Sequence, residues 1–169
     1  MPSDFWHNFR YNRNYLRHDD RPEPLQKGIH PMDEQYTITY EDQPAWGVIG
    51  GAITEYNTQQ ADDDHGENLC FVLRDPGGEI AGGVIGATYW DWLYINLMWV
   101  REDLRRQGYG RQLLEQAEAL GRQRGAQHAH LDTFSFQAPG FYQKFGYRVF
   151  GELADFPIGH RRYFMVKDL

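Results

Sequence analysis

Arg105-Arg106-Gln107-Gly108-Tyr109-Gly110 follows an apolar, strand-like run from Leu93 to Val100 and opens an amphipathic helix. Beyond Gly110 the apolar positions Leu113, Leu114, Ala117 and Leu120 recur at helical spacing, Glu118 and Arg122 form an i,i+4 pair, and Gly125 can end the helix in the left-handed conformation. The six residues therefore sit at a helix N-terminus, where unpaired backbone N–H groups and the positive end of the dipole favour an anion. Gly108 and Gly110 put no Cβ between backbone and ligand, and Arg105, Arg106 and Arg111 add positive charge. The stretch reads as a phosphate cradle, with a plain strand-to-helix connection as the alternative. Two common phosphate signatures are missing: a Walker loop needs Gly-x-x-x-x-Gly-Lys-Ser/Thr, and a dinucleotide fingerprint needs Gly-x-Gly-x-x-Gly.

A second block lies downstream, Ala138-Pro139-Gly140-Phe141-Tyr142-Gln143-Lys144-Phe145-Gly146-Tyr147. Pro139 suits a first helical turn and Gly146 a C-terminal cap, so the spacing predicts a helix of about two turns that carries Tyr142. Alone, Phe141, Tyr142 and Phe145 would read as core aromatics. Together with Arg-x-x-Gly-x-Gly at 105–110, the block resembles the GNAT superfamily of acetyltransferases, in which the first motif is the coenzyme A pyrophosphate loop. Gly159-His160-Arg161-Arg162-Tyr163-Phe164-Met165-Val166-Lys167 is similar to the last strand of small bacterial-type members. The similarity in pattern runs from about Tyr36 to Leu169.

The resemblance implies an α/β (α+β layered) fold: a mixed, mostly antiparallel six- to seven-stranded sheet, helices on both faces, and a V-shaped cofactor cleft between the fourth and fifth strands. It implies acetyl-CoA as cosubstrate, no metal, and direct transfer of the acetyl group to a primary amine of a small molecule. The backbone of Leu97, Met98 and Val100 would hold the pantetheine and polarise the thioester. The backbone of Arg105, Arg106, Gln107, Gly108, Tyr109 and Gly110, with Arg111 following, would take the pyrophosphate. Tyr142 matches the tyrosine that commonly protonates the coenzyme A thiolate, and a phenol, with an ordinary pKa of ~10, is a suitable acid for a thiol. Ser135 stands three residues before Ala138, where relatives often carry an asparagine that contacts the cofactor. The acceptor would be set by loops and by the hairpin between the last two strands, roughly Leu153 to His160. Other functions consistent with the pattern are a non-catalytic coenzyme A-binding or sensing module and a protein lysine or N-terminal acetyltransferase.

The general base is not legible. Relatives often place a carboxylate on the strand before the phosphate loop, but the nearby polar residue here is Asn96, which cannot act as a base. Asp91, Asp132, Glu55 and Tyr56 are candidates, directly or through water. His128, His130 and Asp132 share one strand face and could chelate zinc, but no third histidine or cysteine is paired with them by spacing, so a polar strand face is preferred. Cys70, in the apolar run Leu69 to Leu73, reads as buried packing. The aromatics Tyr89, Trp90, Trp92, Tyr94 and Trp99 could line an acceptor pocket and hold a cationic amine.

From Tyr36 the coarse order is a strand over Gln35 to Glu41, a helix starting at Asp42-Gln43-Pro44 with Val48, Ile49, Ala52, Ile53 and Tyr56 on one face, and an acidic loop Asp62-Asp63-Asp64-His65. Strands Leu69 to Arg74 and Ile80 to Tyr89 flank the turn Asp75-Pro76-Gly77-Gly78, and a tight hairpin at Trp90-Asp91-Trp92 leads to Leu93 to Val100. Strands His128 to Phe134, Tyr147 to Leu153 and Arg161 to Lys167 complete the layer.

At 169 residues the chain suits one substantial core. Residues 1–31 read as a separate aromatic arm with Phe5, Trp6, Phe9, Tyr11 and Tyr15, and residues 32–169 as the catalytic domain, with Met32 as an alternative start. Outside the arm twelve basic side chains face twenty acidic ones; the whole chain carries a formal charge of −7. That balance argues against a nucleic-acid binder and suits a cationic acceptor. One cysteine cannot make an internal disulfide, and no apolar run approaches the ~20 residues of a membrane span, which together predict a cytoplasmic monomer or homodimer.

Overall fold

The computed structural model describes residues 36–169. They divide between two compact units that part after Asp62. The aromatic arm and Met32 lie outside the described residues. In the first unit, helix α1 (Trp46–Ala61) forms where the apolar spacing predicts it, and its Val48, Ile49, Ile53 and Tyr56 are exposed. The strand expected over Gln35 to Glu41 does not form: Gln35 lies outside the described residues, and Tyr36 to Glu41 carry no strand. Alternating sequence becomes a strand only when its backbone groups pair with a neighbour, and these residues appear in no ladder of the sheet.

The second unit holds six strands: β1 (Glu67–Arg74), β2 (Ile80–Tyr89), β3 (Trp92–Val100), β4 (His128–Phe134), β5 (Arg148–Ala154) and β6 (Arg161–Asp168). Their order across the sheet is β1-β2-β3-β4-β6-β5, antiparallel except for the parallel pair β3/β4. A parallel pair needs a crossover, which α2 (Tyr109–Gln123) supplies. Local chemistry sets the turns. Asp75 accepts the N–H groups of Gly77 and Glu79 and pairs with Arg101 at 2.9 Å, and the Arg101 guanidinium holds the Asp75 carboxyl below its ordinary value. Trp90 and Asp91 take the positive φ values, 41° and 62°, of a two-residue hairpin whose twist matches its strands. In the acidic loop, Asp63 accepts the His65 N–H and Asp64 the Gly66 N–H, so these carboxylates shape the chain locally.

Alternation along the strands separates two faces. Leu69, Val84, Leu93, Ile95, Ala129, Leu131 and Met165 point to a buried core shared with Leu113, Leu114 and Ala117 of α2 and with Tyr142 on α3 (Pro139–Lys144). Cys70 faces the other way and is exposed, contrary to the expectation of buried packing: the pleat gives the core to Leu69 and Phe71, and Cys70 lies between them. Helix α2 sits close to the sheet at Gly121, where a Cβ would come within 3.2 Å of Leu93. It also carries a buried acid: Glu118 receives the Lys167 ammonium of β6 at 2.7 and 2.8 Å, with Arg122 at 3.5 Å. Beside them the buried Tyr147 hydroxyl makes no well-aligned hydrogen bond, and burial pushes its pKa far up.

Two irregularities open the sheet. On β3, Ile95 pairs with Gly86 and Leu97 with Ile85, so Asn96 is the extra residue of a bulge. The bulge reverses the phase of the strand, which lets Met98 and Val100 continue the core side begun by Leu93 and Ile95 and leaves Leu97 and Trp99 exposed. At the same point the β3/β4 ladder ends at Ile95/Leu131, although β3 runs on to Val100 and β4 to Phe134. This is the V-shaped cleft. It lies between the strands expected to border it, which count as third and fourth because the strand expected before α1 is not formed.

Gly86 stands opposite the bulge, and a Cβ there would meet the Tyr94 carbonyl oxygen at 2.2 Å. Gly86→Ala is expected to cost about 2–3 kcal/mol through forced backbone displacement. Urea denaturation followed by tryptophan fluorescence measures it, and an unchanged midpoint would refute the steric argument.

Candidate active site

The site begins where β3 ends. Arg101 donates to Asp103 and Asp75, fixing a single 3₁₀ turn, Glu102–Leu104, directly after the strand. The chain then turns through Arg105 to Gly108, with positive φ at Arg106 (63°) and Gly108 (89°), and enters α2 at Tyr109 and Gly110. A left-handed non-glycine residue such as Arg106 stores strain of order 1–3 kcal/mol, which the surrounding contacts have to hold. The Arg105 Nε donates to the Val100 carbonyl at 3.0 Å, and the Gln107 side-chain amide donates to the Asp103 carbonyl at 2.8 Å. Gln112 makes the first backward bond of the helix, its N–H donating to the Gly108 carbonyl at 3.1 Å. The amides before it, including those of Gly108, Tyr109 and Gly110, are therefore left to a ligand at the positive end of α2. Gly110 lies against the Phe141 ring, which an added Cβ would approach to 3.6 Å, so α3 is packed beside the turn. Arg111 is paired with Glu115 at 2.7 Å. This donor set fits a pyrophosphate: oriented N–H groups, a helix dipole and nearby guanidinium groups.

The other expected residues border the opening. Leu97 is exposed, Met98 and Val100 pack on the core, and the edge of β3 from Asn96 to Val100 that faces β4 is outside any strand ladder. Tyr142 is buried on α3, beside the end of β4, and burial, with the Asp132 charge adding to it, pushes its phenol up to about 12. Such a phenol is protonated throughout the neutral range. Ser135 is used within the protein, its Oγ accepting the Arg161 N–H at 3.1 Å and lying 3.4 Å from His160 Nδ1.

Of the candidate bases, Asp91 lies in the hairpin before the first β3/β4 pair, at the closed end of the ladder, and its carbonyl accepts the Gln127 N–H. Glu55 and Tyr56 belong to α1 in the first unit. Asp132 is at the opening, one residue past the last ladder pair, and is bound to Arg162 Nε at 2.7 Å. His128 pairs with Asp168 at 2.8 Å and packs on Trp92; His130 contacts the Tyr89 hydroxyl at 3.0 Å and stacks on Tyr94. No three metal-binding side chains gather among the described residues.

The sequence reading missed Arg162. Its guanidinium lies 5.5 to 5.6 Å from the rings of Phe134, Phe156 and Phe164, and Phe136 stacks on Phe134. These residues are scattered from 134 to 164, and only the pairing of β4 with β6 brings them together, so no local spacing announces them.

A sheet opened between two parallel strands, with an anion turn at the head of the following helix, is the arrangement that the resemblance to acetyltransferases implied, and comparison with known proteins gives the class its name. Residues 16–147 match the Acetyltransferase (GNAT) family, taking in part of the segment read as an arm. The chain belongs to that family. It is 42% identical over 93 residues to blasticidin-S acetyltransferase of Streptomyces morookaense, covering 54% of this chain and 68% of that protein. It is similar to the crystal structure of an acetyltransferase from Bacillus cereus, with a TM-score of 0.72, 36% identity, and coverage of 78% of this chain and 98% of that one. A crystal structure from Bacillus anthracis in complex with acetyl coenzyme A shares the fold, with a TM-score of 0.54 at 18% identity over 60% of this chain and 62% of that one. The protein is accordingly an acetyl-CoA-dependent acyltransferase.

Gly108→Ala places a Cβ in the left-handed region, which costs about 1–2 kcal/mol. The expected result is roughly tenfold weaker acetyl-CoA binding by isothermal titration, since the strain falls on the turn itself. Unaltered affinity would remove Gly108 from the cofactor site.

Proposed function

We propose that the protein transfers the acetyl group of acetyl-CoA to a primary amine of a small molecule, and that an antibiotic of the blasticidin S type is the first acceptor to test. The observation that carries this reading is the coincidence, in one unit, of the anion turn 105–110 with a sheet opening bordered by a buried, protonated Tyr142. The likeness to blasticidin-S acetyltransferase supports the acceptor class.

Acetyl-CoA supplies the acyl group as a thioester. The backbone N–H groups of Arg106 to Gly110, with Arg105 and Arg111 flanking them, hold its pyrophosphate; the Arg105 N–H itself closes the 3₁₀ turn on the Glu102 carbonyl. The unpaired edge of β3 offers backbone groups of Leu97, Met98 and Val100 to the pantetheine and to the carbonyl that becomes an oxyanion. The Val100 carbonyl already accepts Arg105 Nε, so Arg105 links the strand edge to the phosphate turn. Tyr142 Oη, whose phenol burial keeps protonated, holds the proton that the leaving thiolate needs. Ser135 supports the end of β4 by accepting the Arg161 N–H, and it is the side chain offered to the cofactor beside that strand end. The acidic charge of the chain and the ring faces at the opening favour an acceptor that arrives as an ammonium ion.

Thiol release with acetyl-CoA over a panel of blasticidin S, polyamines, amino acids and peptides tests the reading, and release with peptides alone would replace it by a protein acetyltransferase. Tyr142→Phe should lower turnover about 100-fold, within the range of general acid catalysis, while acetyl-CoA affinity changes by less than about threefold. Unchanged turnover would take Tyr142 out of the proton transfer.

A further inference from the structure

The turn at 105–110, the helix α2 and Tyr142 all belong to the side of the sheet that carries the core. A cofactor held there reaches the opening from that side. The nucleophile of a direct transfer needs the other approach, so the acceptor amine enters from the face that carries Tyr94, Asn96, His130 and Asp132. Within this face the β3/β4 ladder ends one pair after Tyr94/His130. His130 therefore lies at the last closed step before the opening, on the acceptor side.

We propose that His130 is the proton acceptor that neutralises the incoming ammonium, with Tyr89 and Tyr94 as the residues that position its ring. This inference rests on the acetyltransferase reading of the site. The imidazole is held from two directions: its Nε2 is 3.0 Å from the Tyr89 hydroxyl, and the Tyr94 ring stacks on it at 4.7 Å and 15°. The Tyr94 hydroxyl reaches Asn96 at 3.4 Å, so the stack ends at the bulge itself. The role requires the tautomer in which Nε2–H donates to the Tyr89 hydroxyl, so that the lone pair of Nδ1 takes the proton.

The surrounding groups suit that step. Tyr89 comes from β2 and Tyr94 from β3; on β4 the flanking groups are His128 and Asp132; on β6 Val166 lies opposite, with Arg162 and Asp168 further along the strand. Half-burial lowers the His130 pKa and the Asp132 charge opposes that shift, so the ring is neutral at physiological pH while the carboxylate favours the imidazolium once the proton has moved. Asp132, engaged by Arg162 at 2.7 Å, supplies the field. In the step, an N–H bond of the ammonium breaks and an N–H bond to Nδ1 forms; the neutral amine keeps the electron pair with which it attacks, and the imidazolium returns its proton to water.

The test uses the full chain, acetyl-CoA and blasticidin S as the amine probe. Wild-type kcat/KM should be level above a midpoint below 6.5. His130→Gln, which keeps a donor toward Tyr89, should be slowed about 100-fold at pH 7, bind acetyl-CoA as tightly as wild type, and regain rate as pH rises, because the amine is then already neutral in solution. NMR titration of the His130 ring in the protein without ligand should give that same midpoint, moved in Tyr89→Phe. A wild-type rate and profile for His130→Gln, or a ring that titrates at or above 6.5, overturns the proposal while the acetyltransferase reading stands. A wild type that releases no thiol with the probe overturns the acceptor reading and this inference with it.

Discussion

The end of β3/β4 pairing at Ile95 and Leu131 is the constraint around which this protein is arranged. Stopping a ladder inside a sheet leaves backbone donors and acceptors that need partners. Here some partners come from the chain itself: the Gln137 side chain accepts the Phe134 N–H at 2.8 Å, and Arg105 donates to Val100. The rest of the β3 edge beyond Ile95 faces the cleft outside any strand ladder. The bulge at Asn96 makes the opening compatible with a core, because it turns Met98 and Val100 back to the side that Leu93 and Ile95 occupy. A straight β3 would bury its polar edge or expose its apolar residues.

The same constraint explains where charge is buried. Helix α2 must present its N-terminus to the opening at a fixed height, and its contacts are close: Gly121 against Leu93 of β3, Gly110 against Phe141 of α3, and Glu118 clamped by Lys167 of β6. Removing one member of such a buried pair typically costs 3–5 kcal/mol, far more than a surface pair contributes. The exposed pair Arg111–Glu115 is of the second kind and adds little to stability.

Much of the cofactor side was legible in the sequence because it is built locally. The turn 105–110, the helix after it and the Phe-Tyr helix are runs of consecutive residues whose glycines, proline and apolar spacing state their conformations. Strands β2 and β4 lie at the predicted boundaries for a similar reason: turn chemistry brackets them. Cys70 was misread because an apolar run hides its alternation, and which face is buried is decided by the helix that packs there. The strand expected near Tyr36 shows the limit of pattern alone, since alternation cannot supply a partner.

The acceptor side was hidden for a different physical reason. His130 and Asp132 are two residues apart, and the sequence offers them as a polar face or a metal site. Only parallel pairing brings Tyr94 over His130, only antiparallel pairing brings Tyr89 beside Tyr94's strand, and only β6 sets Arg162 against Asp132 and three phenylalanines. Each contact joins segments separated by tens of residues. A diphosphate can be met by one local motif, whereas the cluster around His130 exists only once the strands have assembled it. Asn96 joins the two: it is the bulged residue at the strand opening, and through Tyr94 it touches the stack that ends at His130. Its neutral amide supplies no base, and the proposed base His130 stands one strand away, on β4.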